Sequence, residues 1–276
     1  MIKKNHLLAL FFVFSLLGYS TPSLATTTKI AKTAQIAIII DDIGYRKSDI
    51  DVLDLPGNLT YAILPQTPFG QTIALQAQAD KHDVILHIPM EAKNGKKMGP
   101  GGLSAQMNEA AIRQNLSAAF AEIPFALGIN NHMGSKLTEL YDPMAWTMKF
   151  LKERDLIFID SVTTSASKAE NIAKSFGIPC LHRHIFLDNQ LEYSYISAQF
   201  QQLIYAAKHQ QQVVAIVHPH PESIASLHKL LPLLAKNDIE LVSISTLLAK
   251  GITDTKVQTI SHSNTQVSPV LTSNSH

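Results

Sequence analysis

Cysteine is almost missing from this chain: Cys180 stands alone, so no intramolecular disulfide can form, and its apolar flanks read as a buried thiol rather than a nucleophile. Charge of either sign is in no excess either. With 23 basic and 22 acidic residues the formal net charge is +1, which leaves no electrostatic footprint for nucleic acid or an anionic lipid surface and fits a neutral or modestly charged substrate. Past the opening residues, no apolar run approaches the ~20 residues of a spanning helix. Missing too are a serine nucleophile elbow, a P-loop and a dinucleotide fingerprint, so acyl-serine, nucleotide and hydride chemistry have little support.

What is present starts with an address. Residues 1–25 open on Met-Ile-Lys-Lys, run through LLALFFVFSLLG and reach Ser23 and Ala25, a small-residue cleavage pattern. We expect a signal peptide, export to a bacterial envelope and, for the mature chain, a periplasmic location with no stable membrane span. Residues 26–34 read as a spacer, 35–249 as one domain, and the Ser-, Thr- and Asn-rich 250–276 as a disordered tail with little apolar area to offset ordering entropy.

Within 35–249, short β-branched runs alternate with helix-period segments. QIAIII, NLTYAIL, DVILHI, FALGIN, LIFID, PCLHRHIF, VVAIV and IELVSI are the expected strands. This alternation argues for βα units around a largely parallel sheet buried on both faces, at a length that suits one α/β barrel. Asp142-Pro143 is expected to open a helix, 165–176 to form one ending at Gly177, and Pro232 to interrupt one.

Polar clusters follow five of the strands: Asp41-Asp42, His87 with Glu91, Asn130-Asn131-His132, Asp160-Ser161 and His218-Pro219-His220. In parallel barrels and open sheets the carboxyl ends of the strands share one face, so these clusters converge, and imidazoles mixed with carboxylates suit a divalent metal. Asp41 and Asp42 cannot point the same way in a regular strand, and a turn at Gly44 is expected to relax this. One of the pair would ligate a metal and the other act as base, unless one merely caps the following turn. His87 and Glu91, across Pro89, are candidate ligands. His132 is either a third ligand or an orienting residue. Asn131 and Ser135 are candidate contacts to a sugar hydroxyl or acyl oxygen, with Asn130 suited to a local Asx turn. Asp160 would support His132 or His87 from behind. His218 is the expected general acid, and His182 and His184 should face the same way.

As a set, IIIDDIG, LHIPMEA, GINNHMGSK, FIDS and IVHPHPES resemble the divergent polysaccharide deacetylase family, an exported bacterial branch similar to the NodB-type carbohydrate esterases. The resemblance implies a deformed seven-stranded (β/α) barrel and metal-dependent removal of acetyl groups from a glycan. It assigns Asp41 as base and Asp42 as metal ligand. It places His87 at the first histidine of a His-x-x-x-His motif, with Glu91 where the second would stand, His132 available to replace it, and His218 as the histidine ending the last catalytic strand. Zinc is the first choice of metal, with nickel, cobalt and iron compatible with the same donors. Two other functions stay open: a non-catalytic glycan-binding or scaffold protein that keeps the barrel, and a metal-dependent amidase of the cell wall.

Overall fold

A computed structural model describes residues 33–210 and 212–249. The expected leader, most of the spacer and the tail lie outside the described residues. Strand β1 (Ala34–Ile43) starts one residue before the expected boundary and is followed by β2 (Thr60–Ile63), helix α1 (Gly70–Ala79), β3 (Asp83–Met90), α2 (Glu109–Glu122), β4 (Gly128–Met133), α3 (Tyr141–Lys152), β5 (Ile157–Asp160) and α4 (Ala169–Ser175). Then come β6 (Cys180–His182), β7 (Ile185–Phe186), α5 (Tyr193–Gln210), β8 (Gln212–Val217), α6 (Pro221–Leu230), α7 (Pro232–Lys236) and β9 (Ile239–Leu241).

All pairings are parallel, in the order β6-β5-β4-β3-β2-β1-β8-β7, with β9 added beside the first residues of β1. The run PCLHRHIF, expected as one strand, closes the ring by bending. Its first half pairs with β5, its second half with β8, and at the bend the Arg183 amide donates to Asp160 O and the His184 amide to Val214 O. Counted as one stave, β6 and β7 complete a deformed barrel of seven staves, the fold expected from the resemblance.

Strand alternation splits the core into two clusters. Ile36, Ile38 and Ile40 face the helices, where they pack with residues such as Ile73, Leu116, Met148 and Phe200. Ala37, Ile39, Ala62, Ile85, Ile159, Val214 and Ile216 face inward, and Val242, Ile244 and Leu247 close the barrel from below. Every one of these strand residues is fully buried, as expected of a parallel sheet covered on both sides.

Two helix details differ from expectation and a third agrees. Leu140, not Asp142, occupies the N-cap of α3, leaving Asp142 in the first turn near the positive end of the helix dipole. Helix α4 starts only at Ala169, because the Lys168 amide is drawn to Thr138 O and the Ser167 hydroxyl to Asp160. Pro232 does interrupt: it ends α6 and occupies the first turn of α7.

Candidate metal centre and acid–base pair

The inward register that lines the barrel with Ile and Val carries polar residues once it reaches the carboxyl ends of the strands. Two residues beyond Ile39 comes Asp41, beyond Ile85 His87, beyond Ile159 Ser161, beyond Ile216 His218, and along β4 the same parity selects Asn130 and His132. Asp42 has the opposite parity, yet it also faces the mouth. Its own backbone is left-handed, at φ 59°, where the β1–β2 register shifts between Ile40 and Ile43, so the reorientation occurs at Asp42 itself and Gly44 (φ 134°) completes the turn. Met133 (φ 55°) and Val162 (φ 46°) turn the chain in the same way after β4 and β5. For a β-branched residue this conformation is strained, and such residues cluster at sites that need an unusual backbone course.

Three donor atoms meet at this mouth. Asp42 Oδ1 lies 2.7 Å from His132 Nδ1 and 3.0 Å from His87 Nε2, and the two ring nitrogens are 3.2 Å apart. Bonds of ~2.0–2.2 Å to a common ion would place neighbouring donors roughly 3 Å apart, so the triangle is of metal-binding size. The protonation pattern agrees. The Asn130 side chain donates its Nδ2–H to Asp41 Oδ1 at 2.7 Å and turns its Oδ1 to His87 Nδ1, also at 2.7 Å. Asn130 thereby holds the Nδ1–H of His87 and leaves Nε2 directed at the Asp42 carboxylate, the orientation a ligating histidine needs. Asp42 Oδ1 is itself buried and faces only the two imidazole nitrogens. Burial works to raise the Asp42 pKa, but the imidazoles of His132 and His87 outweigh it and hold the carboxyl well below the usual carboxylate range. The donor set therefore fits a divalent metal, and among the described residues this is the one such cluster of His, Cys, Asp and Glu.

Two titratable groups flank the triangle. Asp41 is buried, its Oδ2 lies 3.6 Å from His87 Nε2, and desolvation raises its pKa against the pull of His87 and His218. Beside it on the neighbouring strand, where the register sets Ile39 next to Ile216 and Ile40 next to Val217, the chain runs on to His218, whose Nδ1 lies 3.0 Å from Asp188 Oδ1. Asp188 is buried and also accepts from the His218 amide at 2.8 Å and the Ser223 hydroxyl at 2.7 Å. Burial disfavours charge on His218, yet the Asp188 carboxylate prevails and pushes its pKa up to about 9. A cavity of about 210 Å³ joins Asp41, Asp42, His87, His132, Phe186 and His218.

Several candidates are placed elsewhere. Glu91, read as a ligand, turns away from the triangle: its carboxylate accepts from the Ala105 amide at 2.7 Å and pairs with Lys136, tying down the loop after β3. Asp160 supports neither His132 nor His87. Its outward parity takes it to the Val162 amide (2.9 Å) and the Ser167 hydroxyl (2.7 Å), and the role given to it falls to Asn130. Asn131 reaches the cavity wall, but its amide is already used, donating to Met133 O (2.7 Å) and accepting from the Ser161 amide (2.9 Å). Ser135 accepts from the Lys93 amide at 3.1 Å and is not among the residues lining the cavity. His182 and His184 do stack, at 4.5 Å, away from the triangle.

Sequence reasoning missed three supports. The period-2 parity could have separated Asn130 from Asn131. Asp188 and Arg183 carried no local signal. Arg183 donates to Ser161 O (2.7 Å) and Val162 O (2.6 Å) while lying 3.8 Å over the Phe186 ring, so it pins the strained turn after β5.

The sequence model described as divergent polysaccharide deacetylase matches residues 38–248. The chain belongs to that family. It is 35% identical over 238 residues to an uncharacterized protein of Haemophilus influenzae, covering 86% of this chain and 82% of that one. It is 34% identical over 242 residues to the uncharacterized protein YibQ of Escherichia coli, covering 87% and 73%. Among solved structures, the uncharacterized protein ATU2773 of Agrobacterium tumefaciens shares the fold, with a TM-score of 0.75 at 24% identity over 79% of this chain and 90% of that one.

Proposed function

We propose that this divergent polysaccharide deacetylase family member is a metal-dependent hydrolase that removes acetyl groups from a glycan of the bacterial envelope, where the signal-like residues 1–25 would deliver it. The observation that carries the reading is the triangle of Asp42 Oδ1, His87 Nε2 and His132 Nδ1, set beside a buried carboxylate and a histidine held charged. Those three residues would hold the metal, and zinc is the first candidate from a mixed imidazole and carboxylate set. When bound, the ion supplies Lewis acidity, polarising the acyl carbonyl and lowering the pKa of water.

The protein groups supply the rest. Asp41, fixed by Asn130 through Oδ1, keeps Oδ2 for the proton lost by the attacking water. His218 has Nδ1–H engaged with Asp188, so Nε2–H serves the departing nitrogen. As the carbon–nitrogen bond breaks, that proton completes the amine, and the acyl fragment leaves as acetate. Division of labour between an acid and a base beside the ligand triangle is what this hydrolysis needs. A purely glycan-binding role has no use for the buried Asp188 behind His218, which favours turnover. The deciding experiment is acetate release from acetylated envelope glycans by zinc-loaded protein, beside Asp41→Asn. Acetate from wild type and none from the variant supports the reading, free amino groups without acetate points to an amidase, and saccharide binding with neither product points to the non-catalytic role.

A further inference from the structure

A second, larger cleft of about 400 Å³ opens beside the triangle, sharing Asp42 and His132 with it. This volume falls in the range of ligand clefts, roughly 300–1,000 Å³, and a substrate seated over the triangle must extend through it. One wall is apolar, formed by Tyr45 with Leu64 and Met98. Tyr45 leaves 50% of its surface exposed on this wall, so its ring is free to be covered by something flat. The loop after β3 is able to lie alongside because Gly99 has no side chain: a Cβ there would come 2.8 Å from the Tyr45 hydroxyl.

The opposite character of the cleft is cationic. Arg46 is committed, since it pairs with buried Asp49 at 3.0 Å and donates to Pro219 O at 2.8 Å, tying the loop after β1 to the His218 segment. Its charge is offset by Asp49. Lys97 is exposed and, like its neighbour Lys96, has no carboxylate partner among the described residues; what sets it apart is that it lines the cleft wall. Of the acidic residues, Asp42 alone lines the cleft, and it belongs to the ligand triangle. The uncompensated charge that a substrate meets beyond the triangle is therefore positive.

We propose that this cleft is the specificity subsite, where Tyr45 stacks the sugar ring next to the acetylated one and Lys97 reads a carboxylate on it, so that the substrate is an acidic glycan. The proposal rests on the glycan reading above and deepens it. The recognised carboxylate is of a kind found both in uronic acids and in lactyl-ether amino sugars.

The test measures binding and turnover separately. With zinc-loaded full-length chain, titration calorimetry compares three N-acetylated tetrasaccharides: a neutral one, one with alternating uronic acid, and one with alternating lactyl-ether amino sugar. At least one acidic ligand should bind roughly three- to fivefold tighter than the neutral one, the size of an exposed charge pair, and the preference should shrink as salt rises. In Lys97→Ala the ratio should fall towards one, and Tyr45→Ala should weaken every ligand. Whichever acidic ligand shows the preference identifies the source of the carboxylate. Equal affinities, no measurable binding of any ligand, or a preference that survives Lys97→Ala each overturn the proposal. Acetate release recorded on the same samples keeps the two readings apart: charge preference without acetate would sink the hydrolase and leave the subsite standing, and acetate without charge preference would do the reverse.

Discussion

At the floor of the barrel, Ala37, Ile39, Ile85, Val214 and Ile216 meet Val242, Ile244 and Leu247 in a dry apolar plug. Two residues further along the same strands, the same inward register carries Asp41, His87 and His218. Backbone, pairing and parity are continuous between the two regions, and only side-chain chemistry changes. The floor buries apolar area without strain. The mouth gathers buried carboxylates and imidazoles and three left-handed residues at Asp42, Met133 and Val162. The seven-stave barrel thus divides its labour along its axis, stability below and chemistry above, as parallel barrels do because only one end presents strand termini and long loops together.

The largest expected break in this contrast comes from the ligands. Asp42→Ala and His87→Ala should each lose near-stoichiometric metal, measured by elemental mass spectrometry, and lower acetate release at least about a thousandfold, since a Lewis acid supplies several kcal/mol. Folding should persist in both, because the removed groups do not belong to the apolar plug.

Next is the acid. His218→Gln should keep its metal and lose about 10²- to 10⁴-fold in kcat. The sign of the pH effect is fixed by Asp188. Because the carboxylate raises the pKa of His218, the acid form is present at lower pH and lost as the pH rises towards about 9. Asp188→Asn should therefore move the alkaline limb of the rate profile to lower pH. A limb that stays in place would take the acid role away from His218.

The floor should respond in the other way. Ile216→Ala, two residues below His218, removes fully buried side-chain volume and should cost about 2–5 kcal/mol in denaturant unfolding. Metal content per folded molecule should not change. Loss of metal in that variant would show that the two ends are energetically coupled.

The finest contrast is between two polar residues read from the sequence with opposite emphasis. Asn130→Ala, which frees the Nδ1 side of His87, should weaken metal affinity about 10- to 100-fold, the usual effect of losing the partner behind a ligating histidine. Glu91→Gln should leave affinity unchanged, because its carboxylate serves Ala105 and Lys136. Competition against a metallochromic chelator would measure both.

The strand assignments were legible because continuous Ile and Val runs have one physical use in a chain of this length, burial on both faces of a parallel sheet. The positions of the polar clusters followed from where those runs stop. Parity could also have separated Asn130 from Asn131 and Ser161 from Asp160, but the reading of the residues gave the site roles to Asn131 and Asp160, equally polar and adjacent. Glu91 could not be read this way, since Pro89 and the loop beyond it remove the strand periodicity on which such an inference depends. Asp188 and Arg183 were invisible for a different reason: each follows a stretch of two or three strand residues, and each acts on a partner distant in sequence at the end of the neighbouring strand, Asp188 on His218 and Arg183 on Val162.

By itself the sequence determined the alternation of strand and helix, the inward register and the chemical types available at the strand ends, because these depend on local periodicity and side-chain identity. Closure of the ring at the bend in PCLHRHIF, the left-handed turn that brings Asp42 beside His87 and His132, and the choice of His132 over Glu91 as the third donor were decided by the tertiary structure. Each requires atoms distant in sequence to occupy fixed places within about 3 Å of one another, and only the packed barrel supplies that constraint.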